Sequence, residues 1–145
     1  MCLLVAGCSS DGSGLLGPVP PQLLSSPTTI TVDGTPITLS ASVVADPRLE
    51  LTAILAATNT SPWPAGASTG RVWVIRNGVA WSAETEPDPL PLPLRFGAIA
   101  VIAPPGPSWP VGDSVDIVME VRDAEGAIQL LRGPRTQIVA SGISH

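Results

Sequence analysis

The sequence predicts an all-β domain, an antiparallel sandwich of about seven to nine short strands. Apolar and polar residues alternate with a period of two along most segments after residue 28. Two-residue turn signals and proline-rich or glycine-rich breaks separate these segments, and none of them has a convincing helical period. The 145 residues, 44% of them hydrophobic, are enough for one domain with its own core.

The first predicted hairpin lies in the segment TTITVDGTPITLSASVV, residues 28–44. Asp33-Gly34 is a typical two-residue turn, and a turn there sets Ile30 opposite Ile37. The apolar residues of both strands then share one side, and the Thr and Ser residues face outward. We therefore expect a hairpin that is apolar on one face only.

A second hairpin is predicted around Asn77-Gly78 in RVWVIRNGVAWSAE, residues 71–84. This register pairs Trp81 with Val74 on the core face and puts Trp73 and Ile75 on the opposite face. If that opposite face is open to solvent, Trp73 and Ile75 form an apolar contact patch with charged borders. A register slip of one residue would exchange the two faces.

Further strands are predicted in SVDIVMEV, residues 114–121, and in the segments 48–57, 95–103, 127–132 and 136–141. This number of short strands, with turns between them, favours an immunoglobulin-like sandwich. The proline-rich run EPDPLPLPLRF, residues 86–96, favours extended polyproline conformation. We interpret it as a connector between the sheets or a cover for a sheet edge, in preference to a docking segment for a partner.

The segment PSWPVGDSVDIVMEVRDAEG, residues 107–126, resembles the turn, strand and Asp-x-x-Gly turn of extracytoplasmic immunoglobulin-like modules. Together with ITVDGTPITLSASV and GRVWVI, it also resembles a group of uncharacterised bacterial envelope proteins. The resemblance covers most of residues 28–139. It implies an envelope location and an immunoglobulin-like fold, and it implies no particular activity.

The N-terminal stretch Val5-Ala6-Gly7-Cys8 resembles the lipobox of bacterial lipoproteins. The resemblance implies that Cys8 becomes the acylated N-terminus of the mature chain. Residues 1–7 are then the remnant of a signal peptide, and they lack the basic residues and the length of a complete one. We expect that the true translation start lies upstream. The alternative is that an apolar N-terminus contains Gly-Cys by chance.

Residues 8–27 are rich in Ser, Gly and Pro, which predicts a flexible tether between a lipid on Cys8 and a β-sandwich domain at 28–145. Ser9 stands where an aspartate would favour inner-membrane retention in the lipoprotein family. The predicted location is therefore the bacterial cell envelope, at the outer membrane or the cell surface.

Charge and composition exclude several function classes. The net charge of −5 argues against nucleic acid as a partner and against electrostatic attachment to anionic lipid. The only histidine is His145, and the only cysteines are Cys2 and Cys8. We expect no enzyme activity, no metal and no cofactor, and we assign the carboxylates to turns and to the solvated surface.

Two tryptophans are candidate contact residues because they lie in proline-rich loops. Trp63 is in SPWPAG and Trp109 is in PSWPVG. Rigid aromatic loops make binding platforms for sugars or proteins. A loop tryptophan can equally fold back and close the open end of a sandwich, and we favour that interpretation.

The predicted function is a lipid-anchored, non-catalytic envelope protein, acting as a protein-binding or structural module. Its partners would be the membrane, through the lipid on Cys8, and another envelope protein. An alternative is a carbohydrate-binding module that uses Trp63, Trp73 or Trp109. A second alternative is a loop-presenting protease inhibitor, because the segment NGVAWS resembles the intracellular proteinase inhibitor family of bacilli.

Overall fold

The computed structural model describes residues 15–45, 48–58, 61–88 and 97–140. These residues form twelve strands and no helix, so the predicted all-β class is confirmed with more strands than expected. The strands are β1 (Leu15–Pro18), β2 (Ile30–Val32), β3 (Thr35–Ala45), β4 (Leu49–Ala57), β5 (Ser68–Arg76), β6 (Val79–Glu84), β7 (Glu86–Pro87), β8 (Ala98–Ile102), β9 (Ser114–Arg122), β10 (Ile128–Arg132), β11 (Thr136–Gln137) and β12 (Val139–Ala140). In these ranges we find no helical segment with the length and apolarity needed to cross a bilayer.

The strands form two sheets packed face to face. The first sheet has the order β1-β6-β5-β9-β10, with β11 also pairing with β9. The second sheet has the order β12-β3-β4-β8-β7, with β2 also pairing with β3. Neighbouring strands are antiparallel, except that β12 runs parallel to β3.

This connectivity is that of an immunoglobulin-like sandwich. Strands β3, β4, β8 and β7 occupy the A, B, E and D positions of one sheet, and β6, β5, β9 and β10 occupy C′, C, F and G of the other. The chain changes sheet between β4 and β5, between β6 and β7, and between β8 and β9. Strands β1, β2, β11 and β12 are additions at the edges of this frame.

Both predicted hairpin registers are present. Ile30 pairs with Ile37 across the turn at Asp33-Gly34, and Val74 pairs with Trp81 across the turn at Asn77-Gly78. Asp33 and Asn77 have φ values of 49° and 50°, and the glycines that follow them are also left-handed. Asx-Gly sequences tolerate this backbone, whose twist matches that of the flanking strands.

The main core lies between the sheets and contains the inward-facing residues of every long strand. Trp81 is 2% exposed and is the only aromatic side chain among the buried residues that the structure describes. Gly106 lies against its ring, since a Cβ atom on this glycine would come within 3.1 Å of Trp81 Cε2. The core also includes Ile37, Leu39, Leu49, Leu55, Val72, Val74, Ile117, Met119, Val121, Leu131 and Ile138.

A second apolar cluster covers the outer face of the first sheet. Ile75, Ala80 and Val118 point away from the main core, and Leu23 packs over them with 2% of its surface exposed. Leu23 belongs to residues 15–27, which we call the N-terminal strap. The first sheet is thus buried on both faces at its centre.

The strap crosses the first sheet from one edge to the other. At one edge β1 pairs with β6, with Leu15 opposite Ser82. At the other edge the Arg132 amide donates to the carbonyl of Pro27 over 2.8 Å, and Arg132 Nε donates to the carbonyl of Ser26. Residues 15–27, which the sequence assigns to the tether, therefore lie on the domain, and the domain begins at least as early as Leu15.

Replacing Leu23 with Ala should lower the free energy of unfolding by about 2–5 kcal/mol, the usual cost of emptying a buried leucine site. The adjacent Leu24, 45% exposed, is a matched control, and Leu24→Ala should change stability by less than about 0.5 kcal/mol. Urea unfolding of both variants measures the difference. Equal stabilities of the two variants would show that the strap does not pack on the sheet.

Candidate functional site

The two loop tryptophans lie at opposite ends of the sandwich. Trp63 is in the connection that follows β4, and Trp109 is in the connection that follows β8. Because β4 and β8 are antiparallel neighbours, their C-terminal ends point in opposite directions. Both rings are half-buried and pack against the main core, as expected for tryptophans that close the ends of a sandwich.

Trp63 is held in place by its own loop. Its Nε1–H donates to the carbonyl of Ala67 over 3.1 Å, so the polar edge of the indole is already paired. Gly66 in the same loop has a φ of 81° and touches Ala124 of the β9–β10 turn, where an added Cβ atom would approach within 2.8 Å. The loop is therefore fastened both to itself and to a neighbouring turn.

Trp109 is fixed by a charged side chain from another strand. The guanidinium carbon of Arg76 lies 5.3 Å from the centre of the Trp109 ring. Arg76 Nε also donates to Asp113 Oδ2 over 2.6 Å, and both side chains are about one third exposed. A cation on an aromatic face with an ion pair behind it fixes the β8–β9 connection to the end of β5.

Trp73 and Ile75 lie on the face where the sequence puts them, and the strap covers that face. Ile75 is 4% exposed and Trp73 is half-buried. Trp73 borders a shallow cavity of about 230 Å³ together with β1, Pro20, Ala80 and Ser82. The predicted patch of Trp73 and Ile75 is thus an intramolecular contact with the strap.

Taken together, Trp63, Trp73 and Trp109 occupy three separate places: one end, one outer face and the other end. A flat sugar-binding platform requires neighbouring coplanar rings, and this arrangement brings no two of them together. The segment NGVAWS presents no extended loop, because Asn77-Gly78 is a tight two-residue turn between the paired strands β5 and β6.

A cavity lies beside Trp63, and we call it the Trp63 crevice. It has a volume of about 290 Å³ and lies between the two sheets, near the point where the chain passes from β6 to β7. Its wall is mostly apolar and consists of Trp63, Ala67, Ser68, Thr69, Thr85, Glu86, Pro87, Ile99, Ala100 and Val101. Crevices of this size and composition are the usual form of a small-molecule site.

Two threonines on this wall form a hydrogen-bonded chain. Thr85 Oγ1 donates to the carbonyl of Gly70 over 2.6 Å, and the Thr69 and Thr85 hydroxyl oxygens are 2.7 Å apart. Because the single hydroxyl proton of Thr85 goes to Gly70, Thr69 must donate to Thr85. Both hydroxyl protons are therefore used within the protein.

Several carboxylates elsewhere have structural partners. Asp123 Oδ1 accepts from the amides of Glu125 and Ala127, each over 2.9 Å, which closes the β9–β10 turn. Arg71 pairs with Glu84, and Arg135 pairs with Asp116. In the part of the chain that the structure describes, no three His, Cys, Asp or Glu side chains converge as metal ligands would.

Sequence reasoning identified Trp63 and missed the rest of the crevice. Thr69 belongs to β5 of the first sheet, and the packing of the two sheets brings it beside Pro87 and Ile99 of the second. The predicted lipidation residue, Cys8, lies outside the described residues, as does most of the proline-rich run at 89–96. No protein-family model matches the chain, and no curated sequence matches it.

Substituting Arg76 with Met should destabilise the domain by about 1–2 kcal/mol, because it removes both the contact with Trp109 and the ion pair with Asp113. Arg135→Met is the control, since Arg135 is 63% exposed and makes one ion pair, with Asp116, and no contact with Trp109. We expect the control to cost about 1 kcal/mol or less, and less than Arg76→Met, by thermal and urea unfolding. A control as costly as Arg76→Met would rule out a special role for the Trp109 contact.

Proposed function

We propose that this protein is a lipid-anchored, non-catalytic binding module of the bacterial cell envelope. The observation that carries the proposal is the lipobox-like sequence Val5-Ala6-Gly7-Cys8 immediately before an immunoglobulin-like sandwich. The acyl chains on Cys8 would hold the protein at the membrane, since each buried methylene contributes about 0.8 kcal/mol. The partner would be another component of the envelope, and the outer membrane or cell surface is the favoured location.

The position of the strap supports a short connection between lipid and domain. Strand β1 begins at Leu15, seven residues after Cys8. Seven residues span at most about 25 Å in any conformation. A protein acylated at Cys8 would therefore carry its sandwich close to the membrane surface, where it can meet other membrane-bound proteins.

The architecture supports binding as the role of the domain. Immunoglobulin-like sandwiches present loops and crevices on a rigid frame, and this one has an apolar crevice beside a fixed tryptophan. The fold itself is compatible with many functions, so this support comes from the crevice and not from the fold.

Cys8→Ala should abolish membrane attachment. We would express the protein in a bacterial host from its native reading frame, fractionate the membranes and measure the intact mass. The native protein should begin at residue 8 and carry the added mass of acyl chains, and Cys8→Ala should lack both features.

Cys2→Ala provides the matched control, because a signal remnant that is cleaved before Cys8 makes Cys2 irrelevant to the mature protein. Its mature mass and membrane fraction should equal those of the native protein. A native protein that retains Met1 without acylation would refute the lipid anchor, and the protease inhibitor alternative would then be tested first.

A further inference from the structure

We infer that the outer face of the first sheet, with the strap across it, lies on the membrane surface when the chain is anchored through Cys8. Apolar side chains of the strap make this contact, and charge attraction does not. The inference rests on the proposed lipid anchor and goes beyond it, because it specifies which face of the sandwich meets the bilayer.

The strap supplies the apolar part of this surface. Residues 15–27 contain no charged residue. Three of the seven large hydrophobic side chains that are exposed in the described ranges belong to the strap, namely Leu15, Leu16 and Leu24, at 45%, 60% and 45% exposure. Leu15 lies opposite Ser82 on the outer side of the sheet, and Leu24 follows Leu23, which packs on that same side. An uncharged segment with exposed leucines is typical of a contact surface.

The charged residues around the strap neutralise one another. The strands of this face have three carboxylates, and each is paired with an arginine: Glu84 with Arg71 over 3.1 Å, Asp116 with Arg135 over 2.8 Å, and Glu120 with Arg122 over 3.7 Å. A fourth arginine, Arg132, donates from Nε to the carbonyl of Ser26 in the strap. Four arginines and three carboxylates give this face a formal charge of +1, whereas the whole chain has −5.

The negative charge of the domain lies on other surfaces. Glu50 in β4 and Glu86 in β7 are on the outer face of the second sheet, since their neighbours Leu51 and Pro87 are on its inner face. Asp123 and Glu125 are in the β9–β10 turn, at one end of the sandwich. A membrane surface that contains anionic lipid repels these carboxylates. Charge therefore favours the same orientation as the exposed leucines.

The attachment point suits this orientation. Strand β1 begins at Leu15, seven residues after Cys8, and seven residues span at most about 25 Å. The anchor is therefore close along the chain to the apolar residues of the strap. A lipid on Cys8 would hold the strap at a high effective concentration beside the bilayer. A few half-exposed leucines then suffice for a contact that would be weak in a protein free in solution.

The experiment attaches the full chain to a membrane by a reaction that does not require cellular acylation. Cys2→Ala leaves Cys8 as the only thiol, and Cys8 is coupled to a maleimide lipid in phosphatidylcholine nanodiscs. A soluble gadolinium chelate then broadens the ¹³C-methyl NMR signals of side chains that remain open to water. The reference is the same protein with Cys8 blocked by N-ethylmaleimide.

We expect coupling to reduce the broadening of the Leu15 and Leu24 methyl signals about fivefold, since interfacial apolar groups lie roughly 5–10 Å into the headgroup region. Val139 in β12 and Val111 in the β8–β9 connection are matched controls, at 47% and 53% exposure, and their broadening should not change. Equal reduction at all four residues, or no reduction at the two leucines, would overturn the inference. Neither result would affect the lipid anchor itself, which the mass of the native protein and of Cys8→Ala decides.

Leu24→Asp tests whether the strap makes the contact. Leu24 is exposed in the free protein, so a charge there leaves the fold intact but is costly to bring into an apolar region. In the coupled Leu24→Asp protein, broadening of the Leu15 methyl signals should return most of the way to that of the blocked reference. Val139→Asp is the control and should keep Leu15 protected. Retained protection in Leu24→Asp, or lost protection in Val139→Asp, would overturn the assignment of this face.

Discussion

The structure depends on the need to cover both faces of the sheet formed by β6, β5, β9 and β10. Val74 and Ile117 face the main core, while Ile75 and Val118 on the same strands face the other way, and all four are buried. A sheet with apolar residues on both faces cannot leave one of them in water without losing the free energy of burial. The N-terminal strap supplies the missing layer and makes the domain three layers thick over its centre.

The interior polar groups follow a second constraint: their hydrogen-bond donors are paired with acceptors within the protein. The bulge in β5 leaves the amide of Arg71 without a strand partner, and Glu120 Oε1 accepts from it over 3.0 Å. The threonine chain at Thr69, Thr85 and Gly70 satisfies the same end of β5. These bonds stabilise an irregular stretch of backbone beside the Trp63 crevice.

Much of the fold could be predicted from local pattern. The registers around Asp33-Gly34 and Asn77-Gly78 follow from turn chemistry and alternation, which act over a few residues. The strap could not be predicted in this way. Leu23 lies in a segment whose Ser, Pro and Gly content is typical of a linker, and its burial depends on a sheet formed by residues 45 to 109 positions later.

The same distinction applies to the candidate site. Trp63 could be predicted as a loop aromatic with a structural or binding role, because proline on both sides restricts its backbone. The outer position of Trp73 was also predictable, but its cover was not, because alternation specifies a face and does not specify what lies over it. The crevice needs β7 to cross from one sheet to the other, and two residues of strand carry no periodicity that a sequence can reveal.

The way β1 pairs with β6 has a mechanical consequence. Four rungs join these strands, from Leu15 opposite Ser82 to Pro18 opposite Val79. A pull on Leu15 along the axis of β1 loads all four rungs at once in shear. A pull at right angles would open them one at a time, like a zipper, and would meet far less resistance. A protein held at its N-terminus and pulled by a bound partner along the axis of β1 would therefore keep its strap in place under forces that would open a hairpin from one end.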